Sequence, residues 1–119
     1  MSHTVQCKIA VTDKDALAQA AKNCGYEFWQ EGQHKLFDGT YQGCAVQIPG
    51  WRYPVVANTE TGELKYDDYN GSWGKVADLD YLLQEYSAVT MEMQAALQGY
   101  SCQREYDAQT NDLTLTVSC

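Results

Sequence analysis

Tyr66-Asp67-Asp68-Tyr69-Asn70-Gly71-Ser72-Trp73-Gly74 sets three aromatic rings, two carboxylates, an amide and two glycines within nine residues. Rings of this kind supply contact area at binding surfaces, and a nearby carboxylate fixes the polarity of what they hold. Part of the run has a simpler use. Asn70-Gly71 suits a type I′ hairpin turn, which needs positive φ at both central positions, and Asp68 can hydrogen-bond the turn backbone. Strand alternation would place Tyr66 and Asp68 on one face and Asp67 and Tyr69 on the other. Tyr66, Asp67, Tyr69 and Trp73 are what turn chemistry does not absorb; they serve either packing on one strand face or a contact surface for a partner or small ligand. Trp51-Arg52-Tyr53, after Pro49-Gly50, reads first as a turn followed by a strand start, with a stacked cation–aromatic contact site at Trp51 and Arg52 as the alternative.

Chemistry beyond contact finds little support. Asp68-Tyr69-Asn70-Gly71 echoes the middle of a calcium loop, but Tyr66 stands where the first carboxylate belongs and Ala77 where the bidentate Glu belongs. Asp67 and Asp68 are adjacent, so on a strand they point apart and cannot divide acid and base roles. His3 and His34, the two histidines, fit no metal spacing and read as exposed polar residues. A Cys44–His34 pair lacks a third, orienting group. No glycine-rich phosphate cradle occurs. No catalytic residue, metal or cofactor is assigned, and the expectation is a non-enzymatic accessory or adaptor domain. The rival is a ligand-binding or catalytic pocket between the aromatic stretch and the sheet, near Tyr66, Asp67, Trp73, Trp51 and Arg52. A third possibility is a homodimer formed by pairing of a sheet edge.

The elements that must position these residues follow from periodicity. Val5, Cys7, Ile9 and Val11 alternate with polar or small neighbours, as in a half-buried strand. Thr12-Asp13-Lys14-Asp15 offers a capping box, then Leu17, Ala20, Ala21 and Cys24 recur at helical spacing and Gly25 stops the helix. Tyr26 to Glu31 is extended again. Near the end, Leu79, Leu82, Leu83, Tyr86, Val89, Met93 and Leu97 mark a long helix that opens near Asp78 and stops at Gly99, followed by a strand over 100–106. The helix exits overlay as Gly25-Tyr26 and Gly99-Tyr100, each with a Glu six residues after the Gly. This predicts an α+β fold with a duplicated β-α-β unit, a ferredoxin-like sheet backed by two helices. A last strand, alternating through Leu113, Leu115 and Val117, pairs with 100–106. Between the units, 32–74 is punctuated by Asp38-Gly39, Pro49-Gly50, Thr61-Gly62 and Asn70-Gly71, with extended runs at 44–48, 53–58 and 63–69. It reads as a β-meander insertion that extends or caps the sheet. Ten of the fourteen aromatic residues lie between Tyr26 and Trp73, so the largest apolar side chains belong to that end.

The 119 residues suffice for one domain with a core, spanning 1–119. Sixteen acidic residues against eight basic ones, a net charge of -8, disfavour nucleic-acid binding. Between Val76 and Gln103 no Lys or Arg occurs, while Asp78, Asp80, Glu85 and Glu92 do. This acidic face is either solvated or a dock for a basic surface. Cys7, Cys24, Cys44, Cys102 and Cys119 are odd in number and form no Cys-x-x-Cys pair, so free thiols in a reducing cytosol are expected, with Cys7 and Cys24 in the core. Met1-Ser2-His3-Thr4 carries no basic or apolar region of a signal peptide, and no apolar run is long enough to span a bilayer.

Several phrases together resemble a known family: Met1-Ser2-His3, the stretch from Val55 to Tyr69, the Asn70-Gly71-Ser72-Trp73-Gly74 turn, the helix start Leu79-Asp80-Tyr81-Leu82-Leu83-Gln84-Glu85-Tyr86, and the Gly99-Tyr100 exit before a final strand pair. They are similar to the domain of unknown function 1257 family and the hypothetical chloroplast reading frame 35 product of cyanobacteria, algal plastids and phages. The resemblance covers nearly the whole chain, most strongly from Tyr53 onward. It implies a soluble protein of a cyanobacterial, plastid or phage setting, in the cytoplasm or plastid stroma, and no particular activity.

Overall fold

The computed structural model describes residues 4–7, 10–37, 39–67, 74–106 and 113–118. The order of elements is β1 (Thr4–Cys7), α1 (Lys14–Cys24), β2 (Glu27–Leu36), β3 (Gly39–Gln47), β4 (Val55–Asn58), β5 (Glu63–Asp67), α2 (Val76–Leu97), β6 (Ser101–Tyr106) and β7 (Leu113–Ser118). The fold is α+β. Five strands form an antiparallel sheet in the order β1-β5-β4-β3-β2, and β6 pairs with β7 in a separate two-stranded sheet.

The meander expected as an insertion is the body of the large sheet, since it supplies β3, β4, β5 and the second half of β2, whose first half is the strand expected after α1. Its turns follow local chemistry. At the β4–β5 turn, Asn58 Oδ1 accepts from the backbone of Glu60 and Thr61, and Gly62, at φ +82°, donates its N–H to the Asn58 carbonyl at 2.8 Å. The strands flanking α1 run in the same direction but stand at opposite edges of the sheet. β6 finds its partner in β7, in a sheet of its own, so the ferredoxin-like duplication is not confirmed.

α1 and α2 pack together on one face of the large sheet. Ala16, Leu17, Ala20 and Ala21 of α1 meet Leu79, Leu82, Leu83, Tyr86 and Val89 of α2 over Cys44, Val46, Val55, Ala57 and Leu64. The small residues of α1 let the helices approach closely, while the leucines of α2 fill the volume above the sheet. The N-terminus of α1 is capped by Asp13, whose Oδ1 accepts from Ala16 N at 3.0 Å, and not by the Thr12 capping box. The N–H groups of Thr12 and Asp13 both donate to the Tyr86 hydroxyl oxygen at 3.1 Å, which ties the start of α1 to the middle of α2. α2 begins at Val76, a little before the expected Asp78, with no side-chain cap bond.

The two helix exits are alike in detail. Gly25 and Gly99 take φ of +77° and +80°. Gly25 N–H donates to Lys22 O at 3.1 Å and Tyr26 N–H to Ala21 O at 2.8 Å; Gly99 N–H donates to Ala96 O at 3.1 Å and Tyr100 N–H to Ala95 O at 2.8 Å. Both are Schellman motifs. A Cβ on either glycine would meet nothing within 4 Å, so the cost of a side chain there is conformational alone. Gly25→Ala and Gly99→Ala are each expected to cost about 1–2 kcal/mol in chemical denaturation, and the Asn variants less, because Asn tolerates the left-handed region. Neutral alanine variants would refute the cap assignment.

Candidate functional site

The large sheet has an inner face under the helices and an outer face on which no helix lies among the described residues. Alternation along β5 puts Leu64 and Tyr66 inward and Glu63, Lys65 and Asp67 outward. On β3 and β4 the outward set includes Ala45 and Val56. β2 contributes Trp29 and Leu36 to the same face although their separation is odd, because the register shifts between Trp29 and Gly32. Leu36, Ala45 and Val56 are buried there, with Trp29, Tyr41 and Tyr53 half-buried against them.

Each of these three rings lies beside a basic side chain. The Arg52 guanidinium sits 5.9 Å from the Tyr53 ring centre, and the Lys65 ammonium 4.5 Å from that of Tyr41. The His34 ring lies 5.7 Å from Trp29, and its Nε2–H donates to the Gln30 carbonyl at 3.0 Å. His34, expected to be exposed, is instead half-buried. A cleft of about 100 Å3 opens on this face, lined by Tyr41, Gln42, Val56, Asn58, Glu63 and Lys65.

The residues singled out from the sequence are divided by this arrangement. Trp51 is only 6% exposed and plugs the inner core. Its Nε1–H donates to Asp78 Oδ2 at 3.4 Å in the first turn of α2, and its ring meets Tyr66 edge-on at 6.0 Å. Gly74 packs so closely on the indole that a Cβ would lie 2.2 Å from it. Trp51 and Tyr66 are thus brought together as packing. Asp67 faces the other side of the strand, fully buried. Arg52 is exposed on the outer side with Tyr53. Tyr69 and Trp73, with Asn70-Gly71, lie outside the described residues. Trp29, His34, Tyr41 and Lys65 were not singled out as contact residues; the period of two identifies the face of Lys65, but the bulge in β2 conceals that Trp29 shares it.

The acidic face of α2 is largely used within the chain. Arg104 of β6 donates from Nε and Nη2 to the two Glu92 oxygens at 2.8 and 2.6 Å, and from Nη1 to Glu85. Glu85, 2% exposed, also accepts from Asn23 Nδ2 of α1 at 3.1 Å. The bonds from Arg104 hold the Glu92 carboxyl below the ordinary carboxylate range, and they raise the Arg104 pKa in turn. Burial, with a smaller effect of Glu85, pushes the Cys24 thiol up to about 12, and burial likewise raises Cys44, whose Sγ–H points to Ala57 O at 3.6 Å. Neither is a nucleophile near neutral pH.

A broader groove of about 580 Å3 runs along α2, lined in part by Ala10, Thr12, Tyr86, Met93 and Leu97. Of its polar groups, Asp13 and Tyr86 are committed to the start of α1, and the Thr90 hydroxyl donates to the Ser87 carbonyl. Among the described residues, no three His, Cys, Asp or Glu side chains gather as a metal site requires, and no helix is long and apolar enough to cross a membrane. No family model, no curated protein and no solved structure matches the chain.

Proposed function

We propose that this chain is a non-enzymatic accessory domain that acts by protein contact through the outer face of its large sheet. The observation that carries this reading is the set of three half-buried rings, Trp29, Tyr41 and Tyr53, each beside a basic side chain on one sheet face. Aromatic and arginine side chains are the commonest anchors of protein interfaces. The cleft beside Tyr41, at about 100 Å3, falls well below the several hundred Å3 of a small-molecule site, which weighs against the ligand-binding alternative there. Self-pairing through the exposed edge at β2 is the weaker alternative, because Glu27, Glu31 and Lys35 and the bulge after Trp29 are edge-blocking features. The net charge of -8 argues against a nucleic acid as partner. Membership of the domain of unknown function 1257 family and a cytoplasmic or stromal location are part of the same proposal. The matched caps at Gly25 and Gly99 support descent of the two helix exits from one duplicated, ferredoxin-like unit.

The test is capture of a defined partner from a native host extract by the full chain. Trp29→Ala and Arg52→Ser/Tyr53→Ser should lose it while keeping the wild-type circular dichroism at a temperature well below their lowered melting points. Tyr69→Ala and Trp73→Ala probe the 66–74 run in parallel. Retention of the partner by both outer-face variants would sink the assignment to this face.

A further inference from the structure

We propose that the cleft at Lys65 is a socket for a single carboxylate side chain, Asp or Glu, of a protein partner. The proposal rests on the contact reading above and names the chemistry of its anchor. Lys65 stands opposite Val56 in the β4–β5 pairing, yet its ammonium reaches the Tyr41 ring on β3, so the side chain lies across β4. This places a half-buried cation at the cleft beside a floor of apolar Val56, which is 2% exposed. Among the described residues Lys65 forms no ion pair; the ring faces the cation but does not neutralise it. A half-buried ammonium that forms no ion pair among the described residues can take an anion in the cleft.

Size and local charge narrow the class. The cleft, at about 100 Å3, is far smaller than the several hundred Å3 of a small-molecule site, and suits one short side chain. Glu63 lines the same cleft, two residues along the same face of β5. Its carboxylate leaves one unit of positive charge facing one of negative charge, which suits a monoanion placed at the Lys65 side and penalises a phosphate dianion. The amides of Asn58 and Gln42 supply further polar wall. A carboxylate bound there would complete the Lys65 ion pair and cover the Tyr41 ring, linking the socket to the aromatic surface around it.

The test is a titration of the 15N-labelled full chain with N-acetyl-glutamate methylamide, followed by backbone amide shifts. Saturable shifts clustered at Tyr41, Gln42, Val56, Asn58 and Glu63 to Lys65 are expected. The glutamine analogue should bind at least about ten-fold more weakly, the loss of one charge-assisted hydrogen bond. Lys65→Met should abolish the response and Lys65→Arg should retain it, while Glu63→Gln should strengthen it. An equal response to the glutamine analogue, a response that survives Lys65→Met, tighter binding of inorganic phosphate, or no response would each overturn the socket. Those results would leave the contact reading standing, since its own test is partner capture. Conversely, a carboxylate response with no captured partner supports the socket and counts against the contact reading.

Discussion

Replacing Arg104 with methionine is expected to lower the unfolding free energy by about 3 kcal/mol, a large share of the roughly 5–15 kcal/mol that holds a domain folded. The cost comes chiefly from Glu85. With its side chain only 3% exposed, that carboxylate would lose its cationic partner while staying out of water. Asn23 would keep one hydrogen bond to it, which places the loss near the lower end of the usual range for a broken buried pair. Glu92 is about a third exposed, so its bidentate contact adds less. Glu85→Leu combined with Arg104→Met should recover much of the loss, because no uncompensated charge then remains buried. The effect should also be local before it is global. A two-stranded sheet is marginal alone, and β6 and β7 lie against α2, where Arg104 anchors them. Hydrogen exchange in β6 and β7 should therefore accelerate more than exchange in β3 and β4.

Acid supplies a second readout. The folded pKa of Glu92 lies below its unfolded value, so its contribution is fully present above the ordinary carboxylate range and is lost as pH falls through the lowered folded value. The gap between wild type and Arg104→Met should narrow over that window. A loss of less than about 1 kcal/mol at neutral pH, with unchanged exchange in β6, would show that packing and not the ion network docks the small sheet.

Arg104 also marks where sequence reasoning stops. The acidic stretch of α2 is plain in the sequence, but its counter-charge sits twelve residues beyond Glu92 on a strand of another sheet, a pairing that composition cannot reveal. Elements with strong local signals were legible: both helices, both glycine stops, the meander strands and the pairing of the last two strands. Local periodicity and turn chemistry determine these. Sheet order was not legible, because strands with one apolar face are compatible with many partners, and the choice among them depends on long-range packing. Trp51, which looked like surface chemistry, is core, and half-buried Tyr66 packs against it, since an aromatic ring near a carboxylate has the same signature whether it faces a ligand or the first turn of its own helix. The outer face was half legible. Alternation separates Lys65 from Leu64, but one bulge in β2 reverses the parity that would place Trp29 beside Leu36.

Gly43→Ala is expected to be about as damaging as the loss of Arg104, by a different route. Gly43 lies inside β3 with φ at +152°, a conformation that L side chains rarely adopt, and its carbonyl-side neighbours Cys44 and Ala45 pair with Ala57 and Val56. A Cβ there would stand 2.2 Å from the Ala57 carbonyl oxygen, 2.8 Å from its carbon and 3.2 Å from Asn58 N. Those atoms are backbone, so no rotamer change can relieve the collision; β4 itself must move away from β3. Overpacking of this kind costs about 1–3 kcal/mol and backbone strain a similar amount, so about 3 kcal/mol or more is expected, with the melting temperature falling by roughly 10 °C or more. Gly39→Ala is the internal control. Gly39 has a closely similar φ of +157° on the same strand, but a Cβ there meets nothing within 4 Å, so the difference between the two variants isolates the collision. Equal destabilisation by the two substitutions would mean that β4 does not approach β3 as closely as this register requires. A much larger effect at Gly43, accompanied by loss of the carboxylate response at Lys65, would tie the β3–β4 spacing directly to the cleft built across those strands.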